Sequence, residues 1–236
     1  MKNLSKSAVA LVVLTVTAAV AMIGFEVWQH QPMNPTRLGL FLLFAAAASA
    51  LRVKLPGMDS TMSVNLPYLL LAAAELSGLE VIAVALISAL VQTMRNRGPV
   101  RMVQLLFNAC VIVNSSVLAH YIFRVGPQEN SPAVLAIHMA MAAVGYCVLN
   151  TLLVSMIVAF TEPMRVTQAW DRIFLMTFPY YVLSMGTAVM ASVISVLYGW
   201  WAALGLGLLL VGVYRSYRFY FGAGTDKEKT FTAAAH

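Results

Sequence analysis

Charged side chains are scarce in this 236-residue chain, at 10% of the sequence against roughly 25% in a typical soluble domain. Hydrophobic residues make up 61%, mean hydropathy is +0.81, and almost nothing charged lies inside the long apolar stretches. That balance excludes an ordinary soluble domain. Only two cysteines occur, Cys110 and Cys147, each in the middle of an apolar run where a reduced thiol behaves as a small hydrophobe, so no disulfide framework is expected. A Ser/His/Asp set, paired carboxylates, an HExxH run and a glycine-rich phosphate loop are all missing, which argues against an enzyme. The four histidines lack the close spacing of a metal site, and no metal or cofactor is expected. Gly205, Gly207 and Gly212 suit close helix packing, not phosphate binding.

What is present is a series of apolar runs. A bilayer requires each spanning segment to satisfy its own backbone hydrogen bonds, and runs without strand-like alternation do so as helices. The sequence predicts an all-α, polytopic transmembrane bundle of about eight helices: Ala8 to Val27, Leu38 to Leu51, Val64 to Glu75, Leu79 to Met94, Met102 to Phe123, Ala133 to Phe160, Ile173 to Leu197 and Trp201 to Tyr214. Two of these, Val64 to Glu75 and Leu79 to Met94, are short. The first run resembles a signal peptide, with Lys2 and Lys6 ahead of it and Ala19-Val20-Ala21 as a cleavage triplet; we read it as a signal anchor over 1–28. A helical membrane domain follows over 29–214 and a cytosolic tail over 215–236.

The net charge of +6 fits topology better than nucleic acid, because the basic residues lie at span ends instead of on one face. With the N-terminus cytoplasmic and eight crossings, Lys2, Lys6, Arg52, Lys54, Arg95, Arg97, Arg101, Arg165, Arg172, Arg215, Arg218, Lys227 and Lys229 fall inside, and only Arg37 and Arg124 outside. Cytoplasmic loops carry such an excess. Merging Val64 to Met94 into one helix, with the C-terminus kept inside, weakens the split, so both termini are expected in the cytoplasm, at a bacterial inner membrane.

Several polar groups lie where a bundle would exclude them. The loop from Leu55 to Pro67 is polar and precedes a helix too short to cross about 30 Å of hydrocarbon; Ser63 or Asn65 would cap that helix. Short, interrupted spans point to binding sites in transporter-like folds. Gln104 and Asn108 share a helical face that Ser115 continues, as interhelical glue, as ligand contacts or as a lipid-facing accident. Glu75 ends an apolar helix, and an intramembrane carboxylate is a functional candidate by default. Glu80 reads as part of a solvated turn, His120 and Arg124 as interfacial or as partners of Glu75, and His138 stays ambiguous. Asn150 follows Tyr146 by one turn, and Pro179 should kink the seventh span and splay Tyr180 and Tyr181 apart. Asp171 and Arg172 are placed at a helix start.

Leu55-Pro56-Gly57, Thr61-Met62-Ser63-Val64-Asn65, Ala74-Glu75-Leu76-Ser77, Pro99 to Asn108, Phe178-Pro179-Tyr180-Tyr181 and Val213 to Tyr220 resemble the N-terminal membrane region of bacterial signalling proteins that carry HD-GYP phosphodiesterase or diguanylate cyclase domains. The loop-then-short-helix layout also resembles the S-components of vitamin uptake transporters. The resemblance spans about Leu51 to Gly222. It implies a sensor that binds a small polar molecule through Asn65, Glu75, Gln104, Asn108, Asn150, Tyr180 and Tyr181, and signals to a cytosolic partner or within a homodimer. A solitary uptake component and a structural anchor are the alternatives. Unlike those signalling proteins, this sequence runs from Asp226-Lys227-Glu228-Lys229 to His236 without an output domain, as a truncated sensor or a stand-alone relative would.

Overall fold

The computed structural model describes residues 5–54, 61–94, 102–125 and 131–199. Among these, the apolar runs become seven helices: α1 (Lys6–Gln29), α2 (Pro35–Ala50), α3 (Leu66–Glu75), α4 (Gly78–Met94), α5 (Met102–Phe123), α6 (Pro132–Thr161) and α7 (Val166–Tyr198). The expected eighth span, Trp201 to Tyr214, and the tail over 215–236 lie outside the described residues. Helix starts are chemically marked. Ser5 Oγ accepts from the Ala8 amide at 3.1 Å, and Asn34 Oδ1 accepts from the Arg37 amide at 3.2 Å with Pro35 in the first turn of α2. At the other end of α1, His30 takes the left-handed conformation, φ 47°, that commonly closes a helix.

Among the described residues, four helices, α1, α5, α6 and α7, are long and apolar enough to cross a membrane; α2, α3 and α4 are apolar but shorter. The expectation of eight spans is corrected accordingly. The short helices need not each cover the hydrocarbon, because other helices cover them. Every residue of α3 from Leu66 to Ala73 is buried, and α2, α4, α5, α6 and α7 all pack around it. A helix that is apolar all round belongs in an interior.

The stretch joining α2 to α3 is not a simple loop. Arg52–Lys54 (β1) pairs antiparallel with Thr61–Ser63 (β2), Arg52 opposite Ser63 and Lys54 opposite Thr61, and the Val64 amide extends the ladder to the Leu51 carbonyl at 3.2 Å. This hairpin of two three-residue strands is a small addition to a fold that is otherwise all-α, as expected. It pairs backbone groups that an irregular loop near the bilayer would leave open. The seventh helix also begins at Val166, well before the expected Ile173, with the Arg165 amide bonded to Gln168 Oε1 at 3.2 Å. Asp171 and Arg172 therefore lie inside α7, not at its start. At 33 residues α7 is about 50 Å long, more than the roughly 30 Å that hydrocarbon requires.

Contacts between helix ends fix directions. Ser5 Oγ donates to the Phe160 carbonyl at 3.0 Å, so the start of α1 meets the end of α6. Tyr121 bonds Glu26, so the ends of α1 and α5 lie together. α1 packs into the bundle through a stripe of Ala8, Leu11, Thr15, Ala19 and Glu26, where small residues let the backbones approach. Asn114 Nδ2 donates to the Thr15 carbonyl at 3.0 Å across that seam. The opposite faces of α1 and α7 expose Val13, Leu14, Val20, Leu175, Val182 and Leu197, as lipid-facing surfaces do. The architecture is that of a helical membrane bundle.

Candidate functional site

An enclosed helix cannot hydrate its ends, so the orphan amides and carbonyls of α3 must find protein partners. At its start, the Leu66 amide donates to the Tyr180 hydroxyl at 3.1 Å, and that hydroxyl donates in turn to the Ser63 carbonyl at 2.8 Å. At its end, His120 Nδ1 lies 2.8 Å from the Ala73 carbonyl and an Arg124 guanidinium nitrogen donates to the Leu76 carbonyl at 3.0 Å. The helix is capped from α7 at one end and from α5 at the other, with basic side chains at its negative pole.

Those caps belong to two polar groups at different depths. The first surrounds the start of α3. Ser63 Oγ donates to Asn65 Oδ1 at 3.0 Å, while Asn65 Nδ2 is buried without a partner. Next to it Asn150 Nδ2 donates to the Tyr181 hydroxyl at 2.8 Å, and the Tyr181 ring lies 6.1 Å from Tyr180 and 6.4 Å from Tyr146. The second group closes the acidic end of the bundle. Arg37 of α2 pairs with Glu75 of α3. Glu80, 3% exposed, accepts from the Asn34 amide at 2.8 Å and from both the Ser77 amide and hydroxyl at 2.9 Å. The Glu80 carboxylate thus reaches back to the residue ahead of its own helix, as the acid of a capping box does, and also ties down the start of α2. Glu26, 1% exposed, receives the Tyr121 hydroxyl.

No family model, curated protein or solved structure matches the chain. Any functional reading therefore rests on these two groups.

The seven expected ligand residues do not form one site. Asn65, Asn150, Tyr180 and Tyr181 come together around the start of α3, and Tyr146 joins them, as its spacing from Asn150 anticipates. Glu75 lies in the acidic end. Gln104 is exposed and Asn108 half-buried near the start of α5. Since Arg124 of α5 contacts the carbonyl next to Glu75, Gln104 is about 30 Å along the helix axis from it. The stripe expected from Gln104 through Asn108 to Ser115 is real only at its far end, where Asn114, Ser115, Ser116 and His120 are buried. Met102 and Val103 in the first turn of α5 are exposed as well. Asn65 occupies the N-cap position of α3, yet its side chain makes no capping bond: Pro67 has no amide hydrogen to give, the Tyr68 amide bonds the Asn65 carbonyl, and Asn65 Oδ1 is taken by Ser63.

Glu80 corrects a second expectation: its turn is buried, not solvated. Among the described residues, no group of three or more His, Cys, Asp and Glu side chains gathers closely enough to hold a metal ion. Glu26 is the residue that sequence reasoning missed. Its signal was available, since it is the one carboxylate within the first apolar helix and continues that helix's stripe of small residues.

The Arg37–Glu75 pair gives a direct test of the acidic end. Its side chains are 25% and 18% exposed, between the exposed and the buried case. Arg37→Leu is expected to lower stability by about 1–2 kcal/mol, and Glu75→Gln by less because it retains an acceptor. Thermal unfolding in detergent measures both.

Proposed function

We propose that the chain is a membrane sensor module that binds a small polar molecule beside Asn65 and passes the event to α7. The observation that carries this reading is the double capping of α3. An enclosed helix bonded to α5 at one end and to α7 at the other transmits displacement between them, because neither end is free to slide in solvent. A ligand that engages the open Asn65 amide competes within the Ser63–Asn65–Tyr180 network. It shifts α3 only so far as it binds the shifted state more tightly. In this reading the Ser5 end faces the cytoplasm, since Lys6, Arg52, Lys54, Arg165 and Arg172 lie toward it, and the signal leaves beyond α7 toward residues 215–236. The motifs that resemble sensor membrane regions, Thr61 to Asn65 and Phe178 to Tyr181, supply both sides of this network.

The test is thermal unfolding of the detergent-purified protein against vitamins, amino acids, nucleobases and lipids, because a ligand of the folded state raises its melting point. A stabilising compound whose effect disappears in Asn65→Ala and persists in Gln104→Ala supports the reading. No stabilisation across the panel counts against it and favours a structural anchor. An uptake component is the second reading, favoured by the short helices and the hairpin between α2 and α3. Flux of the stabilising compound into sealed liposomes separates it from the sensor.

A further inference from the structure

The chemistry around Asn65 restricts what can bind there. Ser63, Asn65, Tyr146, Asn150, Tyr180 and Tyr181 meet at the start of α3, and all six side chains are uncharged. Their hydrogen bonds leave one polar side-chain atom buried and unpartnered, Nδ2 of Asn65, a residue only 4% exposed. An amide nitrogen only donates, so the missing partner is an acceptor. The backbone adds no further donor in the first turn of α3. The Leu66 amide is spent on Tyr180, Pro67 has none, and the Tyr68 and Leu69 amides both bond the Asn65 carbonyl. What the ten-residue helix still contributes is its positive pole, which favours an oxygen beside Asn65.

Charge and shape narrow the choice. The Arg37–Glu75 pair and Arg124 lie at the other end of α3, about 15 Å away. A carboxylate or an ammonium group would therefore give up its hydration with no opposite charge among the six side chains, at a cost that one amide bond does not offset. A carbonyl oxygen is satisfied by a single donor. The ring of Tyr181 stands 6.1 Å from Tyr180 and 6.4 Å from Tyr146, so the group also offers aromatic surface. Tyr180 and Asn150 are only half-buried, and the network is not sealed.

We propose, resting on the sensor reading of this same site, that its ligand is an uncharged planar ring bearing a carbonyl oxygen, held with that oxygen on Asn65 Nδ2 and the ring beside Tyr180 and Tyr181. Amino acids, carboxylates and amines are thereby excluded. This chemistry has two sources: water-borne aryl amides and pyrimidines, and quinones dissolved in the bilayer.

Thermal unfolding of the full chain in lipid nanodiscs with five probes tests this. Benzamide, benzoate and benzylammonium share a ring and differ in charge; uracil and duroquinone represent the two sources. A rise in melting point is expected from one or more of the three uncharged probes and from neither ion. Uracil without duroquinone assigns the water-borne source, and the reverse assigns the bilayer. Asn65→Ala should bind the stabilising probe about fivefold more weakly, the scale of one neutral hydrogen bond. If that variant does not fold, Asn65→Ser, which keeps a good N-cap residue and withdraws the amide, carries the same expectation. Stabilisation by benzoate or benzylammonium, or an uncharged probe bound equally well by the Asn65 variant, would overturn the proposal and leave the sensor reading standing. Silence from all five probes would overturn it too, and the sensor reading falls with it only if the wider panel is also silent.

Discussion

Gly78→Ala is expected to destabilise the protein, although alanine is the better helix former by about 1 kcal/mol. The new methyl group would occupy the space of the Glu26 carboxylate, and overpacking of this kind costs about 1–3 kcal/mol. Gly78→Val should cost more. The glycine is needed for its missing Cβ and not for its backbone, since only Gly199 among the described glycines has a positive φ. Gly24, Gly39 and Gly186 serve as internal controls: nothing lies within 4 Å of a Cβ at any of them, so alanine there should be neutral or stabilising. The double variant Glu26→Ala/Gly78→Ala should be no less stable than Gly78→Ala alone, because removal of the carboxylate vacates the space and leaves Tyr121, 38% exposed, able to bond water. A thermal double-mutant cycle measures the coupling. Additive effects would mean that the two residues do not touch.

Tyr180→Phe should be the more damaging of the two tyrosine substitutions. It strips a partner from the Leu66 amide and from the Ser63 carbonyl at once, in an interior where an unmade backbone bond costs about 1–3 kcal/mol. Tyr181→Phe removes a single bond from the half-buried Asn150 amide and should cost about 1 kcal/mol. Unfolding in detergent, or protection of the α3 amides from exchange, distinguishes the two. Equal losses would argue that the cap on α3 is dispensable.

Most of the helical architecture was legible because it depends on local composition. The boundaries of α5 follow directly from the apolar run between Arg101 and Arg124, and Pro35 and Pro132 mark the starts of α2 and α6. The start of α7 was not, because the sequence from Val166 to Arg172 is largely polar and breaks the apolar run by which the other spans are read. The hairpin was hidden by its brevity, since two three-residue strands carry too little alternation to stand out beside a polar loop. The site was only partly legible. Spacing along one helix brought Tyr146 and Asn150 to the same neighbour, Tyr181, whereas Tyr180 and Tyr181 take different partners as successive residues of an unbroken helix do. Helical spacing says nothing of which side of a helix meets protein or how far its neighbours extend, and this is why Gln104 and Asn108 were grouped with Glu75. Glu80 looked solvated because a turn is solvated unless another element covers it, and that cover, the amide of Asn34, lies 46 residues earlier in the chain.

The enclosure of α3 bears on how the chain is made. Ten residues are too few for a translocating channel to release into lipid as a span, and the side chains that complete this helix arrive later in synthesis, from His120 and Arg124 and last of all from Tyr180. Until α7 has emerged, the start of α3 lacks its cap. Chains halted before residue 180 should therefore hold α2, α3 and α4 as an unsettled assembly open to quality-control proteases, and the arrival of the paired tyrosines marks the point at which the bundle can close.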